Sequence, residues 1–238
     1  TLIFFIISFA QFKLPHYMNI MMPLYAILTA SYLHSLHRFT KEREIKILLG
    51  VLYFILSLVF IFSLLVCFHV FKFDHWGGYV VLISVLIVIA YFCLKREAYY
   101  MRIITLSVCS SLLLNGVLNT HFYPNLLKYQ AGSTMAKVVK KRNISVDNIY
   151  KFSEWHSWGL DFYNRYPVQI ATLSELSDKR DFWIYADNSN LEALKDAGFD
   201  WDKQITVDLF RITRLQAKFL DPSTRAKKLN KMHLVHIH

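Results

Sequence analysis

Charged side chains are the first thing this sequence is short of. Only 18% of its 238 residues are Asp, Glu, Lys or Arg, while 55% are hydrophobic, against about 25% and 45–50% in an ordinary soluble domain. The shortage is confined to one half. Residues 1–120 carry 9 of the 27 Lys and Arg and 4 of the 17 Asp and Glu, leaving 18 and 13 for the rest. That split predicts a membrane-embedded region, 1–120, and a soluble region, 121–238.

Glycine is also scarce, with seven in the chain and only Gly132, Gly159 and Gly198 in the soluble region. No G-x-G-x-x-G or Walker pattern is present there. Without such a turn, backbone amides have no ready way to cradle a nucleotide's phosphates, so a nucleotide site is excluded. No spacing of Ser, His and Asp resembles a nucleophile elbow. The three cysteines, Cys67, Cys93 and Cys109, all lie in apolar stretches. There they behave as small hydrophobes and exclude a disulfide framework or a thiolate metal site. The net charge of +10 does not signal nucleic acid. In the soluble region the excess is only +5 (18 minus 13), without basic runs interleaved with aromatics, so no nucleic-acid partner is expected. The chain opens at Thr1, inside an apolar run and without Met, which predicts a piece of a longer protein.

What is abundant is long apolar sequence. About 20 apolar residues at 1.5 Å each cross roughly 30 Å of hydrocarbon. Residues 18–36, 46–69, 77–94 and 102–120 meet that length, and 1–12 reads as the end of a further, truncated span. The loops holding Arg38, Lys41, Arg43 and Lys46, and Lys95, Arg96 and Arg102, are the basic ones. The positive-inside rule makes them cytoplasmic, so residues 13–17, 72–76 and everything beyond His121 lie outside. Trp76, Tyr79, Phe122 and Tyr123 fall where interfacial aromatics are expected. No charge lies deep within a span and only Asn115 and Asn119 add polarity there, which argues against a transporter.

Beyond the membrane the pattern changes to short alternating units. Residues 125–142 read as one amphipathic helix. Residues 148–152, 167–172, 181–185 and 205–212, with 216–219 as a further candidate, read as strands. Residues 160–165, 173–177 and 190–197 read as short helices, the last closed by Gly198. The expected fold is therefore a polytopic α-helical membrane region, about four full spans plus a truncated one, followed by a small α/β extracytoplasmic domain.

Few residues offer chemistry. Lys13, His16 and Tyr17 sit at the outer face between two spans. A lysine neutralises a phosphate and a tyrosine hydroxyl donates a second hydrogen bond, although a snorkelling lysine in an aromatic belt accounts for the same residues. Trp155 and Trp158 stand in an aromatic and polar stretch whose ring faces suit a sugar, or equally a small core or a membrane surface. His233, His236 and His238 have ligand-like spacing, but a terminal strand or fraying explains them better, and no metal is expected. Asn143-Ile-Ser145 fits an N-glycosylation acceptor.

The stretch Lys13-Leu-Pro-His-Tyr17…Pro23 is similar to the K-L-P-x-Y-x-x-P segment of membrane glycosyltransferases of the GT-C fold, the bacterial aminoarabinose transferases and their protein O-mannosyltransferase-like relatives. His121-Phe-Tyr-Pro-Asn-Leu-Leu-Lys-Tyr-Gln-Ala-Gly132, Leu160-Asp-Phe-Tyr-Asn-Arg-Tyr-Pro-Val168 and Phe219-Leu-Asp-Pro-Ser-Thr-Arg225 resemble later segments of the same proteins, in the same order. The resemblance implies transfer of a sugar from a polyprenyl-phosphate donor to a lipid, glycan or protein acceptor at the outer face of a bacterial inner membrane. It places Lys13, Tyr17 and, less directly, His16 against the carrier-lipid phosphate. The family's catalytic carboxylate lies in an upstream loop that these residues do not include. No catalytic residue or cofactor is therefore expected here, and the portion alone is expected to be inactive. A non-enzymatic receptor or scaffold with an extracytoplasmic binding domain is the rival reading.

Overall fold

The computed structural model describes residues 19, 21–38, 42–95, 98–152 and 157–238. Three helices are long and apolar enough to cross a membrane: Glu42–Val70, Trp76–Leu94 and Tyr99–Leu127. A small α/β sheet domain follows them. Among the described residues the helix before these three, α1 (Met22–Arg38), has 17 residues. The truncated span expected over 1–12 lies outside the described residues.

The first long helix is α2 (Glu42–Leu65), continued by a π-helical turn over Val66–Val70. Then come α3 (Trp76–Leu94) and α4 (Tyr99–Val117), the latter continued by a second π-helical turn, Leu118–Phe122, and by α5 (Tyr123–Leu127). Side chains such as Phe54, Ile61, Val81, Ile87, Leu94 and Leu112 are exposed. In water that would be a liability, whereas in hydrocarbon it costs nothing. Hydroxyls inside the helices turn back on their own backbone. Ser57, Ser84, Ser107 and Ser110 each donate to the carbonyl four residues earlier at 2.8–2.9 Å, so these hydroxyls are satisfied within their own helices.

The chain divides into two compact units, Thr1–Phe62 with Gly77–Leu114, and Ser63–Trp76 with Asn115–His238. In the first, Leu36 of α1, Ile45 and Leu49 of α2, and Ile103 and Leu106 of α4 form a buried cluster. The second contains the sheet domain, and also the turn between α2 and α3.

In the second unit, α6 (Ala131–Lys141) precedes β1 (Ile149–Phe152), α7 (Trp158–Asn164), β2 (Gln169–Ala171), α8 (Leu173–Ser177), β3 (Phe182–Asp187), α9 (Asn188–Asp196) and β4 (Lys203–Leu209). Two short turns, α10 (Ala217–Leu220) and α11 (Pro222–Arg225), lead to β5 (Asn230–Ile237). The sheet order is β2-β1-β3-β5-β4, parallel through β2, β1 and β3 and antiparallel from β3 to β4. Both faces are covered. Ala131, Met135, Val139 and Leu160 of α6 and α7 close over Ile149, Tyr185 and Leu234. Leu176, Leu191 and Leu194 of α8 and α9 close over Phe182, Ile184, Ala186 and Val235. Alternate residues of β3 thus enter opposite cores, which is why its sequence is apolar without a gap.

Two sequence expectations are corrected. Residues 125–142 form two helices, not one, because the chain turns at 128–130, where Gln130 is extended and the Lys128 carbonyl accepts from the Thr134 hydroxyl. Residues 216–219 are not a strand: Gln216 is extended and leads into the helical turn Ala217–Leu220, and Phe219 is buried by stacking on Phe210 at 3.8 Å, without sheet pairing. Phe122 is also buried against Phe71, with ring centroids 5.8 Å apart, and is not an interfacial anchor. Of the terminal histidines, His233 and His236 stand on a paired strand, β5, and His238 follows its end.

Candidate functional site

Of the residues singled out in the sequence, Lys13, His16, Tyr17 and Trp155 lie outside the described residues. Trp158 opens α7 with 74% of its surface exposed. It is one wall of a cleft of about 710 Å³ that also involves Phe162, Tyr166, Arg165, Asp161 and Gln130.

The local sequence explains why the aromatics point outward. In Trp158-Gly-Leu-Asp-Phe-Tyr-Asn164 the side chain of Leu160 is fully buried, which commits the opposite face of this short helix to solvent. Trp158 and Phe162, four residues apart, share that side, and Tyr166 follows beyond the helix end, all three more than half exposed. Three contacts hold the platform. Asp161 receives the buried Lys151 ammonium of β1 on both oxygens, at 2.9 and 2.8 Å, and the Val168 amide at 2.9 Å. Arg165, at φ 60°, ends α7 in the left-handed region and turns the chain into β2. Gly132 and Gly159 let α6 and α7 touch: a Cβ on Gly132 would meet the Ser157 hydroxyl and lie 2.9 Å from the Leu160 amide nitrogen. Beneath them, burial pushes the Tyr185 phenol up to about 12, against the opposing hydrogen bond with Ser157.

Such a cleft binds. Its volume suits a small ligand, its rings offer flat apolar faces to a sugar's C–H groups, and Arg165 and Gln130 offer donors to hydroxyls. Its carboxylate, Asp161, is held by the Lys151 ammonium on both oxygens and by the Val168 amide. No family model, curated protein or solved structure matches this chain. The geometry therefore carries the functional argument.

A second cavity of the same unit, about 350 Å³, lies where the helix ends meet the sheet domain, between Lys72, Asp74, Asn125, Lys128 and Arg225. Arg225 builds it. Its guanidinium lies 4.6 Å from the Phe71 ring centroid and donates to the carbonyls of Val70, Phe219 and Leu220. Asp221 caps α11 by accepting from the Ser223 amide at 2.9 Å and from the Ser223 hydroxyl at 2.8 Å. Those hydrogen bonds hold its carboxyl below the usual range. The segment Phe219–Arg225 thus fastens the turn after α2 to the sheet domain. His121 makes the matching contact, donating from Nε2 to the Phe71 carbonyl while its ring lies 4.1 Å from that of Phe73.

Trp158 was singled out in the sequence as a candidate, and the structure places it exposed in this cleft. Phe162 and Tyr166 were not: Phe162 stood in the expected helix 160–165, where its spacing of four from Trp158 was a signal, and Tyr166 lies beyond that helix.

Proposed function

We propose that this chain is the C-terminal portion of an integral membrane glycosyltransferase, with about four spans and one truncated span, that moves a sugar from a polyprenyl-phosphate donor to a lipid, glycan or protein acceptor at the outer face of a bacterial inner membrane. The observation that carries the reading is the aromatic cleft around Trp158, a carbohydrate-type surface built on a segment resembling that family. The order of the other three resembling segments supports it, as do three apolar helices joined to an α/β domain. On this reading Lys13 and Tyr17, with His16 beside them, hold the carrier-lipid phosphate and stabilise it as the leaving group. The cleft takes a sugar ring of donor or acceptor. The catalytic carboxylate belongs to an upstream part of the enzyme.

One observation favours a receptor or scaffold instead: the cleft's carboxylate, Asp161, is engaged in an ion pair with the buried Lys151. Membranes containing the whole protein separate the two readings when supplied with radiolabelled polyprenyl-phosphate sugars. Transfer should fall about tenfold or more in an equally abundant Lys13→Ala/Tyr17→Phe variant, and again in Trp158→Ala/Phe162→Ala. Transfer unchanged by the first pair removes the phosphate assignment and leaves the enzyme standing. No transfer from any donor, in the unaltered protein, leaves the scaffold.

A further inference from the structure

The corner of the sheet opposite β2 gathers residues that no part of the proposed reaction uses. β3 and β4 both begin beside the end of β5: Phe182 pairs with Ile237 and Lys203 with His236. That register brings Asp181, just before β3, and Asp202, just before β4, to His236 and His238. Asp181 Oδ1 lies 2.8 Å from His236 Nε2, and Asp202 Oδ1 lies 2.8 Å from His236 Nδ1. The other Asp202 oxygen is 3.1 Å from His238 Nε2. His236 is buried among them with its ring 4.7 Å from that of Trp183, while Asp181 and His238 are exposed.

The two short contacts of His236 pose a question of proton count. A neutral imidazole has one N–H and one lone pair. It satisfies one carboxylate and sets its lone pair against the other. A positive charge between Nε2 and Asp181 removes the conflict, and a second imidazole is in place to share it. The donor atoms of Asp181, His236 and His238 all lie within 4.8 Å of one another.

We infer that this corner binds a divalent transition-metal ion of the zinc class, ligated by Asp181, His236 Nε2 and His238. Two imidazoles and a carboxylate form a donor set that such ions take, with a fourth position left for water. Asp202 acts as the orienting carboxylate: it accepts the His236 Nδ1–H and so leaves Nε2 as a lone pair for the metal, as outer-shell carboxylates do. A tetrahedral ion with ligands about 2.0–2.1 Å away needs roughly 3.3 Å between donor atoms. The Asp181 oxygen and His236 Nε2 therefore have to part by about half an ångström, and the exposed His238 ring has to close in on them from within 4.8 Å. The ion joins the starts of two strands to the end of a third.

The test uses the whole chain purified in detergent without a histidine tag, stripped with chelator and titrated with zinc chloride. Dialysis followed by elemental analysis should find one zinc per chain, and cobalt substitution should give the visible absorption of a tetrahedral ion. Asp181→Asn and His238→Ala, both at exposed positions that leave the buried His236 in place, should each weaken binding about tenfold or more, and together abolish the stoichiometric site. Asp202→Asn should weaken it too, with the cobalt spectrum retained. No stoichiometric zinc in the unaltered chain overturns the inference. Zinc binding undiminished in the Asp181→Asn/His238→Ala variant overturns it as well.

Discussion

His233 and His236 stand three residues apart on β5 and face opposite cores, in opposite chemical settings. The indole N–H of Trp201 donates to Gln204 Oε1 at 3.1 Å, which turns the Gln204 amide nitrogen toward His233 Nδ1 at 2.9 Å. The Thr206 hydroxyl lies 3.0 Å from the same nitrogen. Nδ1 is thus an acceptor, and Nε2–H donates to Asn188 Oδ1 at 2.5 Å. Every partner suits the neutral ring. Burial is the main cause that lowers the His233 pKa from 6.5; Lys231 adds to it and Asp187 opposes it. The sign follows. Just below pH 6.5 the unfolded chain binds more protons than the folded one, so the stability contributed by His233 is full above that pH and drains away as pH falls through the folded value. Thermal unfolding of the detergent-solubilised chain, followed from pH 8 to pH 5, should show a steeper acid loss than His233→Gln does. Parallel curves would rule His233 out as a source of the acid sensitivity. None of this was legible in the sequence. His233, Gln204 and Asn188 meet only through strand pairing, as do Asp181, Asp202 and His236, whereas Trp158 announced itself through its immediate neighbours.

Helices α6 and α7 approach through two glycines that face each other. At Gly132 the nearest obstacles to a Cβ include the Leu160 backbone nitrogen, which cannot rotate away as a side chain would. Gly132→Ala should therefore force the helices apart and cost about 1–3 kcal/mol, read as a lowered unfolding midpoint. An unchanged midpoint would mean that the crossing relaxes freely. Alanine at Gly77, with nothing within 4 Å, serves as the neutral control. The sequence foretold other elements well where the signal was local. Residues 173–177 form the expected helix because Thr172 and Glu175 make a reciprocal capping box. α9 is closed, as expected, by Gly198 at φ 86°. β1 and β3 showed as doubly apolar runs. The break at 128–130 did not show, because it depends on the Phe210 amide, far along the chain, donating to the Tyr129 carbonyl at 2.9 Å.

At the scale of the whole molecule, the turn after α2 and the sheet domain belong to one unit, joined by His121 and Arg225. They must therefore lie on one side of any membrane that the long helices cross. Labelling tests this after Cys67, Cys93 and Cys109 have been replaced. Cysteines at Lys72 and Lys195 should react with a membrane-impermeant maleimide in intact cells, and cysteines at Lys46 and Lys95 only after permeabilisation. Reaction of Lys72→Cys and Lys195→Cys from different sides would break the shared-unit reading. Reversal of all four would keep it and invert the orientation. The strand order also sets a clock. β4 pairs with β5 alone, yet 20 residues separate Leu209 from Asn230. At roughly 5–20 residues per second of synthesis, β4 waits about 1.5 to 6 s for the end of β5 to arrive, and the flank of β3 waits longer still. Throughout that interval their amides and carbonyls are open to any passing strand, so this domain is most vulnerable to misassembly while it is being made.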